Sequence, residues 1–493
     1  MFKIAPTSTL VLALTLLAGW GSSYGADVSS DPPALSAGNL NLIFVVSEDL
    51  DNQSAGDVNP DTANLTNRGL QRSLRMARFL RQRVLRKKNV TGVYALEPMT
   101  HLQTAGNYPD MAALETIQQF ALLNQITLSS ALPPLYFPYT GNSYPINASY
   151  ASPVPTGVAT PTAYCGNCQG LDFADQGEDN ETLVSGIITA NVPGFYVFSA
   201  PWETTSALLA KINTLEDYNL TLPASYAGPN FIYAISITPS GSASLVSFNA
   251  NLKPPSTYPA LPKPVPVNGA CTGQTHFNIA VTIGSMGAQK PMGINTNETL
   301  YIIRHADAHP LPFWSDGNYI CAGQWRALSL PNALRGKISP QQVYSSDPAQ
   351  TSPGTEGFSW SGVAPALTAE PYAIANGLPY DLVASFNISA PNPPEPTSGP
   401  QLTSNFFFTG DQFSNQTVLL AWSYQFIQPT VNDLISSYFP GSTPPALQAP
   451  TWPGNDYDTI WTVTLDANGN LTVDNSMCEG IDSAKLPATC PQF

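Results

Sequence analysis

Arg304 and His305, with Asp307 and His309 close behind, place a fixed cation, two imidazoles and a carboxyl in one short stretch. The apolar run Leu300-Tyr301-Ile302-Ile303 leads into it and reads as a strand. The pair therefore falls at a strand's C-terminal end, where open α/β sheets gather their ligand sites. A neutral imidazole there can attack phosphorus, a guanidinium can hold the oxyanion, and a carboxyl can protonate the leaving oxygen. His305 and His309 also have the HxxxH spacing that, on a helix, turns two imidazoles toward one zinc ion. Pro310 disfavours a helix there, and the third ligand would have to be an acid such as Asp316. No metal or organic cofactor is expected.

The elements that must position this stretch occur twice. Asn41-Leu42-Ile43-Phe44-Val45-Val46 matches Leu300-Tyr301-Ile302-Ile303, and Gly69-Leu70-Gln71-Arg72-Ser73-Leu74 matches Gly323-Gln324-Trp325-Arg326-Ala327-Leu328. Val93-Tyr94-Ala95-Leu96-Glu97-Pro98 matches Val343-Tyr344-Ser345-Ser346-Asp347-Pro348. A later helix, a strand leading into a helix, and a closing hairpin also recur in order. The pattern predicts a tandem duplication: residues 39–251, a stiff Pro-rich linker over 252–271, and residues 272–493. Alternating strands and helices make each copy an α/β unit, a mostly parallel sheet flanked by helices.

The Arg-His pair, the element order and Leu65-Thr66-Asn67-Arg68-Gly69 at a helix start together resemble the histidine phosphatase (phosphoglycerate-mutase-like) superfamily. The resemblance implies His305 as nucleophile, Arg304 as phosphate clamp and Asp307 as the acid. It also implies a second Arg after one strand and a second His after another, and these are replaced here. No His follows His309, and no Lys or Arg lies between Ile338 and Lys485. Arg326 is the remaining candidate for a second cation, with Arg335 behind it. Ser423 or Tyr424 stands at the second imidazole's place, and His309 or His276 could substitute only if its loop folds back. In the first copy Ser47-Glu48 takes the place of Arg-His, and Pro201 falls opposite Tyr424, so that copy is read as non-catalytic.

Composition bounds the rest. The chain has 493 residues and a formal net charge of −15, which argues against nucleic acid and anionic membranes as partners. Lys3, the apolar stretch from Leu10 to Ala18 and the small residues Gly21 to Ala26 read as a signal peptide over residues 1–26. That stretch is too short to span a bilayer. The mature chain is thus expected to be secreted, or periplasmic in a bacterial host. Six Cys in an exported chain suggest three disulfides, with Cys478–Cys490 and Cys165–Cys168 the neighbours in sequence. Arg68, Arg72, Arg75, Arg83 and Arg86 form a basic helix face expected to be solvated.

Two functions stay open at this point. One is an exported phosphomonoester hydrolase working through a phosphohistidine at His305 on a small phosphorylated substrate. The other is a catalytically inactive extracellular protein that keeps the fold and binds a small anion.

Overall fold

The computed structural model describes residues 32–124, 144–148, 170–175, 177–269, 271, 273–308, 316–349, 351–353, 359–383 and 399–493. The expected signal (1–26), Cys165, Cys168 and His309 lie outside them. The first half runs β1 (Leu40–Val46), α1 (Asn67–Phe79), β2 (Gly92–Ala95), the short hairpin β3 (Leu102–Gln103) and β4 (Tyr108–Pro109), then α2 (Ala112–Leu123). It continues with α3 (Asp179–Ala190), β5 (Gly194–Ala200), α4 (Trp202–Leu215), β6 (Phe231–Ile237) and β7 (Ala243–Asn249). The second half opens with β8 (Asn278–Val281), β9 (Glu298–Arg304), α5 (Cys321–Ala333), β10 (Gln342–Ser346), β11 (Thr351–Pro353) and β12 (Ser359–Ser361). It closes with α6 (Ala364–Asn376), β13 (Tyr380–Val383), α7 (Gly399–Phe408), β14 (Thr417–Trp422), α8 (Tyr424–Ser437), β15 (Thr459–Leu465) and β16 (Leu471–Cys478).

The first sheet has the order β2-β5-β1-β6-β7, and the second β13-β10-β14-β9-β15-β16-β8. The five strands β10-β14-β9-β15-β16 repeat the order of the first sheet, with the same parallel and antiparallel pairings. Each sheet is mixed rather than mostly parallel. Helical crossovers give the parallel members, whereas the closing hairpin of each half adds antiparallel strands beyond β1 and β9.

All seven residues of β1 are buried, as expected of a continuous apolar strand covered on both faces. Its inward side chains Ile43 and Val45 join one core with Leu114, Ile117 and Phe120 of α2 and with Ile303, Val343, Leu367 and Tyr372 of the second half. Helices α1, α2, α5 and α6 thus form a central layer between the sheets. Leu183, Leu208 and Leu209 of α3 and α4 cover the outer face of the first sheet, and Phe407, Phe408, Val431 and Leu434 of α7 and α8 cover that of the second. Residues Ala34–Phe493 form a single compact unit, with one core shared by both halves.

The Pro-rich segment packs along this unit. Gln71 Nε2 donates to the Thr257 carbonyl at 2.8 Å, Tyr258 Oη donates to the Leu328 carbonyl at 3.0 Å, and Tyr258 and Leu261 rest on Leu70, Leu74 and Leu328. The basic face of α1 is not uniformly solvated. Arg72 lies on the buried side and is ion-paired, so helical spacing alone misplaced it.

Gly69 and Gly323 explain the repeated glycine at the start of α1 and α5. A Cβ at Gly69 would sit 2.2 Å from the Asp57 carbonyl oxygen, and one at Gly323 would sit 2.4 Å from that of Asp307. Only glycine lets the helix start approach the segment after the first strand so closely.

Described disulfides join Cys271 to Cys478 and Cys321 to Cys490, with Cα atoms 5.4 and 4.4 Å apart. Cys478 and Cys490 are therefore not a pair, because the chain between them carries Cys490 across to the start of α5. Among the described residues no helix is long and apolar enough to cross a membrane.

Candidate functional site

The backbone N–H of His305 donates to the Trp422 carbonyl at 2.9 Å, which extends the β9–β14 ladder one residue past the end of β9. Nδ1 of His305 lies 2.9 Å from the Ala306 carbonyl oxygen. A carbonyl can only accept, so Nδ1 carries the proton and Nε2 keeps its lone pair. Burial, and then the charge of Arg304, push the imidazole pKa down to about 3. His305 is neutral at every physiological pH.

Arg304 is buried between two aromatic faces, 4.2 Å from the ring centroid of Tyr424 and 3.7 Å from that of Tyr457. Cation–π attraction of this kind is worth about 2 kcal/mol or more where the cation is desolvated. Its Nη1 donates to the carbonyls of Gly454 (2.6 Å) and Asp456 (3.2 Å). Its Nε is buried and has no hydrogen-bond partner among the described residues. Tyr424 therefore joins Arg304 and His305 in one place. Tyr457, from the segment before β15, completes the group, and nothing in the sequence pattern marked it.

Asp307 and Arg326 belong to a different constellation. Arg326 Nε is 2.6 Å from Asp307 Oδ2, and Nη1 is 2.6 Å from Glu479 Oε2. Nη2 donates to the Ile481 carbonyl (3.0 Å) and to Ser483 Oγ (2.8 Å), and Asp458 lies 3.5 Å from Nη1. Burial opposes the charge, but Asp307 and Glu479 outweigh it and raise the guanidinium pKa. All three nitrogens of Arg326 are committed to the protein. Arg335 lies exposed beyond α5, and His276 faces Asn475 on β16 at 3.2 Å.

The first half repeats this brace. Ser47 N–H donates to the Ala200 carbonyl at 3.0 Å, the same bond that His305 makes. The register therefore sets Val46 opposite Arg304, Ser47 opposite His305 and Pro201 opposite Ser423. Each is one residue from the position expected from sequence, where no charged side chain anchored the alignment. Arg72 Nε donates to Asp57 Oδ2 at 3.1 Å, and Nη1 to Asn230 Oδ1 and the Leu252 carbonyl. In both halves, then, a helix-borne Arg ties an Asp after the first strand to the end of the closing hairpin.

No family model matches the chain, and no curated protein sequence does. Solved structures similar to it include two proteins described as the phosphohistidine phosphatase SixA. That from Agrobacterium tumefaciens is 17% identical at a TM-score of 0.19, over 35% of this chain and 93% of the other. That from Nakamurella multipartitia is 17% identical at a TM-score of 0.20, over 41% of this chain and 96% of the other.

Proposed function

We propose that this chain is an exported, catalytically silent protein, a duplicated and degenerate histidine-phosphatase-like fold that binds a small oxyanion beside Arg304 without turning it over. Residues 39–251 and 272–493 are the two copies, and the first serves as scaffold. Phosphoryl transfer is positioning plus charge stabilisation, so it needs several cationic donors free to follow the oxygens. The observation that carries the reading is that Nη1 of Arg304 and all three nitrogens of Arg326 already serve protein acceptors. What remains are Nε and Nη2 of Arg304, for which no acceptor is found among the described residues, next to a neutral His305. One guanidinium edge can hold an anion, but with Arg326 committed elsewhere no second cation is free beside it to neutralise a transition state.

A second reading keeps His305 as a phosphomonoester hydrolase's nucleophile, with Arg304 as clamp and Asp307 as acid. One observation favours it. The Ala306 carbonyl sets the tautomer that leaves Nε2 free to attack. Equilibrium titration with orthovanadate, run beside hydrolysis of an aryl phosphate from about pH 4 to 8, where carboxyls and His titrate, separates the two. Saturable binding without turnover agrees with the silent reading. Turnover abolished by His305→Ala would replace it with the hydrolase, and no binding at all would remove the anion.

A further inference from the structure

Four carboxylates and one imidazole crowd the C-terminal end of the parallel strands in the first sheet, in the half that lacks the Arg-His pair. Asp49 follows β1, His101 follows β2, Asp110 ends the β3–β4 hairpin, and Glu203 lies in the first turn of α4. Ligand atoms of Asp49, His101 and Asp110 all lie within 4.8 Å of one another, and Asp49 is shared with a second group formed with Asp51 and Glu203. Counting His101 as charged, the formal sum is still strongly negative. The edge of an α/β sheet where strand ends converge is also where ligands bind in such folds.

The donor atoms are held in place from outside the cluster. Asp49 Oδ1 accepts from the Asp51 N–H at 2.8 Å, which leaves Oδ2 facing His101 Nε2 at 2.7 Å. Asp110 Oδ1 accepts from the Ala112 N–H at 3.0 Å. Its other oxygen, Oδ2, is buried in a residue with no exposed surface and meets no hydrogen-bond partner among the described residues. The nearby Gln103 amide falls short of hydrogen-bond geometry through Nε2, although as a side-chain donor it pulls the Asp110 pKa down against the larger rise from burial. Phe173 stacks on the His101 ring with centroids 3.5 Å apart and planes 8° from parallel, which fixes the imidazole's direction. A buried carboxylate oxygen without a donor is costly unless a proton or a cation meets it. Each of the two carboxylates thus spends one oxygen on the backbone, while the second oxygen of Asp49 faces His101 and that of Asp110 meets no donor among the described residues. Metal sites orient their ligands by the same arrangement.

We propose that Asp49, His101 and Asp110 bind a divalent first-row transition cation of the Mn²⁺ to Zn²⁺ kind. Two carboxylates and one imidazole form the mixed oxygen and nitrogen set that such ions accept, whereas Mg²⁺ and Ca²⁺ prefer oxygen alone. Donors about 2.0–2.2 Å from one ion stand roughly 3 to 4.4 Å apart, so Asp49 Oδ2 and His101 Nε2 open slightly from their 2.7 Å contact to admit the ion. The cation takes the place of the proton between His101 and Asp49. Glu203, whose buried Oε2 has no partner among the described residues, and Asp51 group with Asp49 and add negative field beside the site. The proposal is independent of what the second half binds.

The test uses the full mature protein, stripped with chelator and titrated with ZnCl₂ calorimetrically, with CoCl₂ as an absorption reporter of coordination. The variants are Asp110→Asn and His101→Gln. Asp110→Asn keeps the shape and removes a buried charge, so the apoprotein should fold at least as well as wild type. About one Zn²⁺ per chain is expected, with ligand-field bands on Co²⁺ loading and at least about tenfold weaker binding in each variant. Absence of stoichiometric binding, binding unchanged in both variants, or a preference for Mg²⁺ over Zn²⁺ would each overturn it.

Discussion

Glu97 and Asp347 occupy the same place in their two sheets and bring their carboxyls together in the buried seam between the halves. Both are essentially without exposed surface. Two carboxyls buried side by side avoid mutual repulsion only while one of them keeps its proton. Burial, joined by the mutual charge, holds the Glu97 carboxyl well above the usual range, and burial lifts Asp347 from 3.8 to about 6. Glu115 of α2 and Glu370 of α6 form a second such pair across the same seam.

These pairs predict acid stability. The folded chain keeps protons that the unfolded chain has already lost, so the native state binds more protons above the unfolded carboxyl values. Stability must then fall as pH rises, beginning near 3.8 and continuing past about 6, where Asp347 titrates. One pKa unit is about 1.4 kcal/mol, so the Asp347 shift is worth on the order of 3 kcal/mol. Glu97→Gln retains the acceptor for Met99 N–H and offers a permanent donor to Asp347. Urea unfolding at pH 4 and pH 7 should show wild type losing stability between them and the variant losing clearly less. An equal loss in both would disprove the seam's role.

Arg326 gives a second prediction. Removing one partner of a buried ion network leaves the others uncompensated, at a cost of about 3–5 kcal/mol. Arg326→Met should therefore lower the urea midpoint sharply. Arg326→Lys should rescue little, since one ammonium cannot reach Asp307, Glu479 and the Ile481 carbonyl together. A variant of wild-type stability would return Arg326 to the role of free phosphate clamp.

The covalent links are simple to check. Non-reducing peptide mapping should recover Cys271 linked to Cys478 and Cys321 linked to Cys490, with no Cys478–Cys490 peptide. Cys490→Ser should destabilise the fold by roughly 2–5 kcal/mol, as losing a native disulfide commonly does.

How much of this could be read from the chain varies with the kind of interaction. Strands such as Leu40–Val46 and Glu298–Arg304 announce themselves through apolar runs, and the glycine before Arg72 and Arg326 marks a real packing constraint. Pairing between distant segments leaves no such trace. Cys490 finds Cys321, and Arg326 finds Glu479, only because the closing hairpin brings the C-terminal tail back over α5. The Asp49, His101 and Asp110 set was missed for the same reason. Its members come from three separate segments and share no spacing motif. Arg304 and His305 were visible, but not that Tyr424, Tyr457 and two backbone carbonyls occupy the guanidinium.

The central claim is that His305 does not carry a phosphoryl group in turnover. The most direct measurement incubates the mature protein with an aryl phosphate, quenches in alkali, where phosphohistidine survives, and weighs the peptide containing His305. The account predicts only the unmodified mass, in wild type and in His305→Ala alike. A phosphorylated peptide in wild type, absent from the variant, would contradict it and establish His305 as a nucleophile.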